Sequence, residues 1–150
     1  MSTKLLLASL KTQDANLSLL IDALEMQKQA IIKNDYTTLE TAINNEQKIL
    51  IDVEREETAR GKVVKELAQS MNLDVHDNSL ENLINQGSTQ FGNDLKELNK
   101  VRVSLKEKAL KIKSTNSQLK DVIEFSRNMI KETMMMLVGP NKHAIVNKRV

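Results

Sequence analysis

Apolar residues recur at alternating steps of four and three along almost the whole chain, and only four glycines and one proline interrupt them. Leu10, Leu17, Leu24 and Ile31 return every seven residues, with Leu6, Leu20 and Ile21 beside them. That is the stripe of an amphipathic helix from about Ser2 to Lys33. Asn34-Asp35 breaks it, and Thr37 followed by Glu40 predicts a capping box for the next helix. There Leu39, Ile43, Glu46, Leu50, Val53, Glu57, Arg60, Val64, Leu67 and Met71 keep the four-three spacing, one seam of a helix of about 35 residues. Glu46 and Arg60 are expected to fix register within that seam. Gly61 predicts a bend or a close approach of neighbouring backbone.

Residues 72–79, NLDVHDNS, form a polar break, after which Asn78 and Glu81 are suited to cap a short helix carrying Leu80, Leu83 and Ile84. Gly87 ends it. After Gly92 the longest element begins. Leu95, Leu98, Arg102, Leu105, Ala109, Ile112, Asn116, Leu119, Ile123, Ser126, Ile130, Thr133 and Leu137 form its seam, and Gly139-Pro140 stops it. Asn116, the one amide in that seam, reads as a register residue. At 1.5 Å per residue this helix is roughly 68 Å long against roughly 52 Å for the second. Its surplus is expected to project past the turn at 34–37, leaving apolar stripe without an intramolecular partner.

Aromatic residues make up 2 % of the chain, namely Tyr36, Phe91 and Phe125, too few for the inner faces of a β-sandwich. The expected fold is all-α: an antiparallel bundle of three long helices plus one short connecting helix, with coiled-coil-like packing. It forms one domain over residues 1–138, followed by a basic tail over 139–150.

The chemistry available is narrow. There is no cysteine, and His76 and His143 stand far apart in a loop and the tail, which argues against a metal site and a general base. No phosphate-binding, dinucleotide, zinc-protease or nucleophile-elbow motif is present, so no enzyme and no cofactor is expected. Net charge is +2. The basic run Lys96, Lys100, Arg102, Lys106, Lys108, Lys111 and Lys113 has no interleaved aromatics, and together with the acidic run at 52–57 reads as solvated faces of neighbouring helices rather than a nucleic-acid surface. No stretch approaches the ~20 apolar residues that span a bilayer, and no secretory signal is visible, so the chain reads as cytoplasmic.

Met129, Met134, Met135 and Met136 lie in the last two turns of the long helix. Three consecutive methionines spread over most of a helix circumference, so at least one meets solvent or another chain. Flexible thioethers suit a surface that receives apolar helices. A Met-filled bundle end or a homodimer contact is the competing reading, which makes the protein a structural or adaptor coiled coil.

Asp35, Leu39-Glu40, Glu46-Gln47, Glu54, Arg60 and Leu67-Ala68, with SLENLI at 79–84 and NSQLKDVIEFSRNMI at 116–130, carry a resemblance to FlgN-type flagellar export chaperones. The resemblance implies a cytoplasmic, non-catalytic chaperone that holds hook-filament junction proteins, the hook-associated proteins, by their C-terminal helical regions before type III export. It implies client contacts in the last helix, here Leu119, Ile123, Ile130, Met134 and Leu137, which overlap the methionine cluster of Met129, Met135 and Met136. Family members commonly carry a tyrosine near the C-terminal end, associated with docking to the export apparatus. Here that region reads MMMLVGP, and the single tyrosine, Tyr36, lies in the first turn.

Overall fold

The computed structural model describes residues 2–73 and 80–139, and every regular element among them is a helix. They are α1 (Ser2–Ile32), α2 (Tyr36–Ser70), α3 (Leu80–Gln86), α4 (Ser88–Phe91) and α5 (Asp94–Val138). Asn78, His76 and all of the expected tail beyond Gly139 lie outside the described residues. The four-residue α4 was not expected. It starts where Gly87 closes α3, and a Cβ on Gly87 would stand 3.0 Å from the Phe91 ring and 3.1 Å from Leu83 O, so a larger residue would have to push the ring or the α3 backbone aside.

The α1–α2 turn is tighter than a capping box at Thr37 would make it. Asn34 adopts a left-handed φ of 56°, and the N–H groups of Asp35 and Asn34 donate to Ala30 O (2.8 Å) and Ile31 O (3.2 Å), closing α1. Asp35 is therefore already the N-cap of α2: its carboxylate accepts from Thr38 N–H at 3.1 Å and from Thr38 Oγ1 at 2.6 Å. Thr37 sits inside the first turn, and Glu40 is exposed. Asn72, also at φ 56°, ends α2 in the same way, with Leu73 N–H donating to Ala68 O at 2.8 Å.

The three long helices form the expected antiparallel bundle. Ser9 meets Glu56, Gln13 meets the Val53 carbonyl and Gln27 meets Glu46, so α2 runs antiparallel to α1. Asp14 meets Ser104, Glu25 meets Thr115 and Lys28 meets Gln118, each pair 90 residues apart, so α5 runs parallel to α1 at a constant offset. Close backbone approach is confined to α1 with α2 and α1 with α5, which makes α1 the shared central helix.

This geometry corrects the phase of both seams. In α2 the side facing α1 is Ala42, Glu46, Ile49, Val53, Glu56, Arg60 and Leu67, whereas Ile43, Leu50 and Glu57 are exposed. Four-three spacing is satisfied equally by the adjoining phase, and the bonds of Gln27 to Glu46 (3.1 Å) and Gln13 to Val53 O (3.3 Å) go with the one observed. Glu46 and Arg60 are half-buried, and α2 continues unbroken through Gly61. In α5, Leu98, Leu105, Ile112 and Leu119 face α1, but Ala109 and Asn116 are exposed, with Lys108 and Thr115 in their place. Thr115 is 0 % exposed, its hydroxyl 3.5 Å from Glu25 Oε1. The acids of α1 select the phase.

Two core clusters result. Leu6, Leu10, Val64, Leu67, Leu83, Phe91 and Leu98 pack where the short helices close one end, and Leu20, Leu24 and Leu119 pack further along. The charge runs also pair differently from expectation. Asp52 and Glu57 bond to Arg55 and Arg60 of their own helix, while Arg102, Lys108 and Lys111 reach Glu81, Asp14 and Glu25.

Burial opposes ionisation of Asp14. Hydrogen bonds from Lys108 Nζ (2.7 Å) and Ser104 (2.7 Å), together with the lysine charge, outweigh it and hold the carboxyl below the ordinary aspartate range. A carboxylate whose pKa is depressed by folding stabilises fully above its unfolded pKa and loses that contribution as pH falls through the folded value. Lys108→Met is therefore expected to cost about 1 kcal/mol at neutral pH. The stability gap between the two proteins should close below about pH 4, a window set by Asp14's own lowered titration and read from urea unfolding across pH.

Candidate functional site

The 90-residue offset places the last residue of α1, Ile32, level with Val122, and α5 runs on to Val138. Sixteen residues of α5, roughly 24 Å, thus extend past the end of α1. Up to Leu119 the inward side of α5 is covered. Beyond it that side continues through Val122, Ser126, Met129 and Thr133, while Ile123, Ile130 and Leu137, on the helix position of the exposed Ala109 and Asn116, are 37 %, 58 % and 76 % exposed.

At the junction a groove of about 630 Å³ opens between the two helices. Ile31, Ile32 and Asn34 form its floor at the end of α1, and Val122, Phe125, Met129, Ile130, Thr133 and Met134 form its wall on α5. Asp121 and Ser126 are the polar members on that wall. The surface is open on one side and mostly hydrocarbon, the shape that receives an amphipathic helix rather than one that encloses a small molecule.

The expected contact residues divide into groups. Met129, Ile130 and Met134 line the groove, while Met135 is 42 % exposed and Met136 is 87 % exposed on other sides of the helix. Ile123, also exposed, is not among the residues that line the groove. Leu119 does not belong with them: it is 9 % exposed in the second core cluster against Leu20 and Leu24, because α1 still covers α5 at that level. Of the expected register residues, Asn116 is exposed, as described above.

Sequence reasoning missed Phe125, 66 % exposed, and the α1 end, where Ile32 is 57 % exposed. Phe125 lies one turn before Met129 and is the only aromatic of α5, a signal the seam pattern passed over because it falls outside the four-three positions. Ile32 enters only through the helix offset, which no local pattern reveals.

No group of three or more acidic or histidine side chains that could hold a metal occurs among the described residues. Nor is any described helix long and apolar enough to cross a membrane.

Residues 1–147 match the family model described as FlgN protein. The chain belongs to the FlgN family. This is a family of flagellar export chaperones, whose work is to bind flagellar proteins rather than to catalyse a reaction. No curated protein and no solved structure matches the chain. In this FlgN-family chain the overhang of α5 leaves apolar side chains exposed, among them Phe125, Ile130 and Leu137.

If the overhang lies outside the core, truncating it should leave stability alone. Leu24→Ala, in the second core cluster, should cost 2–5 kcal/mol on the scale of buried leucine truncations. Leu137→Ala should stay within about 0.5 kcal/mol of the parent. Denaturant midpoints of the two variants check the contrast, and a large loss for Leu137→Ala would place that residue in the fold.

Proposed function

We propose that the α5 overhang holds a C-terminal amphipathic helix of a hook-filament junction protein in the cytoplasm, keeping it from assembling before type III export. The observation that carries this reading is the apolar overhang of α5: α1 covers the helix as far as Leu119, and beyond it Phe125, Met129, Ile130 and Leu137 are exposed. A client helix laid on that face takes the line that α1 leaves at Ile32. Its apolar side meets Met129, Ile130 and Met134, and its first turn meets Ile31 and Ile32 at the groove floor.

The methionines suit more than one client, because their side chains repack around differently shaped apolar residues without a fixed rotamer. Release needs no nucleotide. An unsupported helix end that orders on binding lowers net affinity, which favours handing the client on to the export apparatus. Where family members carry a C-terminal tyrosine for that apparatus, this chain has none in MMMLVGP, so no residue here is given that contact.

Calorimetric titration with the C-terminal helical segments of hook-filament junction proteins tests the proposal. Saturable binding to the full chain is expected, and it should be lost when the chain is truncated at Arg127, with the helicity of α1 and α2 retained by circular dichroism. Unchanged affinity after truncation would remove the overhang as the site. Absence of any binding by the full chain would remove the client class.

A further inference from the structure

Two neighbours do not cover the central helix. Toward α2, α1 turns Ser9, Gln13 and Gln27, and toward α5 it turns Lys11, Asp14, Glu25 and Lys28. Its third side carries Leu5, Ala8, Thr12, Ala15, Leu19 and Met26 at steps of three, four and seven, and all six are exposed. The three large ones are 62 %, 53 % and 43 % exposed in chain order. Thr12 donates its hydroxyl to Ala8 O at 3.0 Å, which leaves its methyl as the packing surface. A helix side left to water normally carries charge, and from Leu5 to Leu19 this stripe has none; its one charge is Asp22, between Leu19 and Met26.

We propose that a second copy of this chain docks on that side, α1 against α1, antiparallel about a two-fold axis level with Gln13 and Asp14. The stripe is complementary to itself in this register. Leu19 of each copy lies over Ala8 of the other, Thr12 lies over Ala15, and Leu5 comes level with Asp22, between Leu19 and Met26. Larger meets smaller in the Leu19–Ala8 and Thr12–Ala15 layers, as interlocking helices require, and each contact occurs twice, as a two-fold interface requires. Lys4 and Asp22 have no ion-pair partner among the described residues, and here they come level across the axis in two opposite-charge pairs. The parallel alternative stacks Leu19 on Leu19, leaves a gap between facing alanines and sets Lys4 against Lys4. Complementarity of size and charge together selects a second copy over an unrelated helix.

This contact is distinct from the α5 overhang and leaves it open. In the antiparallel dimer the two overhangs point away from each other and begin roughly 55 Å apart, so each copy keeps its own groove.

Sedimentation of the full chain tests the proposal. The expected mass is twice the 17.0 kDa of one chain, falling to 17.0 kDa in Leu19→Glu with an unchanged thermal melt, since Leu19 is exposed. Lys4→Asp and Asp22→Lys should each weaken the dimer by about tenfold, and combining them should restore it. Because the chain has no cysteine, Ala8→Cys with Leu19→Cys adds a clean crosslink. Those positions lie roughly 16 Å apart along one helix, too far to bridge within a copy, so oxidation should give a covalent dimer. A chain that stays monomeric at high micromolar concentration would overturn the proposal. So would a dimer that survives Leu19→Glu and is lost in Met136→Glu, which would place self-association on the overhang, or a double-cysteine variant that does not crosslink.

Discussion

The offset between α1 and α5 is held by polar contacts, and the rest of the architecture depends on it. Asp14 with Ser104, Glu25 with Thr115 and Lys28 with Gln118 share one separation of 90 residues, and Lys108 adds an ion pair to Asp14 at 2.7 Å. Apolar seams alone tolerate a slide by one heptad, since leucines recur at the same spacing. A slide here would strip Lys108 and Ser104 from a half-buried carboxylate and leave Thr115 buried without its partner, each unfavourable by more than the packing could recover. With the offset locked, the excess length of α5 falls entirely at one end. Core and overhang are two consequences of one register.

That register also explains the gradient of burial along α5. Near Leu98 the helix is closed in by α1 and α3, at Leu119 by α1, and beyond Ile123 only the end of α1 at Ile31, Ile32 and Asn34 borders it among the described residues. The same apolar periodicity therefore does structural work in the first half of the helix and is free for a partner in the second. Helical continuity from the packed part supports the overhang, because propagating a helix is far less unfavourable than nucleating one. Local opening free energy is correspondingly lowest where tertiary contacts end. On the proposed reading a chaperone of the FlgN family gains from this division, because a surface outside the core can take up and give up a client without disturbing the fold.

The three long helices, the breaks between them and the overhang were legible in the sequence because they rest on local signals. Asn34-Asp35, Gly87, Gly92 and Gly139 each mark a real break, and length at 1.5 Å per residue predicts which helix outlasts the others. What was not legible is angular phase. Ile43 and Ala42, Leu50 and Ile49, and Asn116 and Thr115 are adjacent pairs in which either member fits a four-three seam, and the choice is made by hydrogen bonds between helices distant in sequence. The same limit assigned Leu119 to the surface and passed over Phe125 and Ile32, since whether a seam residue is covered depends on where the neighbouring helix stops. The cap at Asp35 was displaced by two positions because a left-handed Asn34 makes the turn shorter than a capping box allows.

The most direct test of the central claim is amide hydrogen exchange along α5, measured on the free chain and on the chain saturated with a C-terminal client helix. The account predicts slow exchange at residues 95–119 in both states, and fast exchange at 123–138 that becomes slow only when the client is bound. Slow exchange across 123–138 in the free chain, or client-induced protection confined to residues outside the overhang, would contradict it.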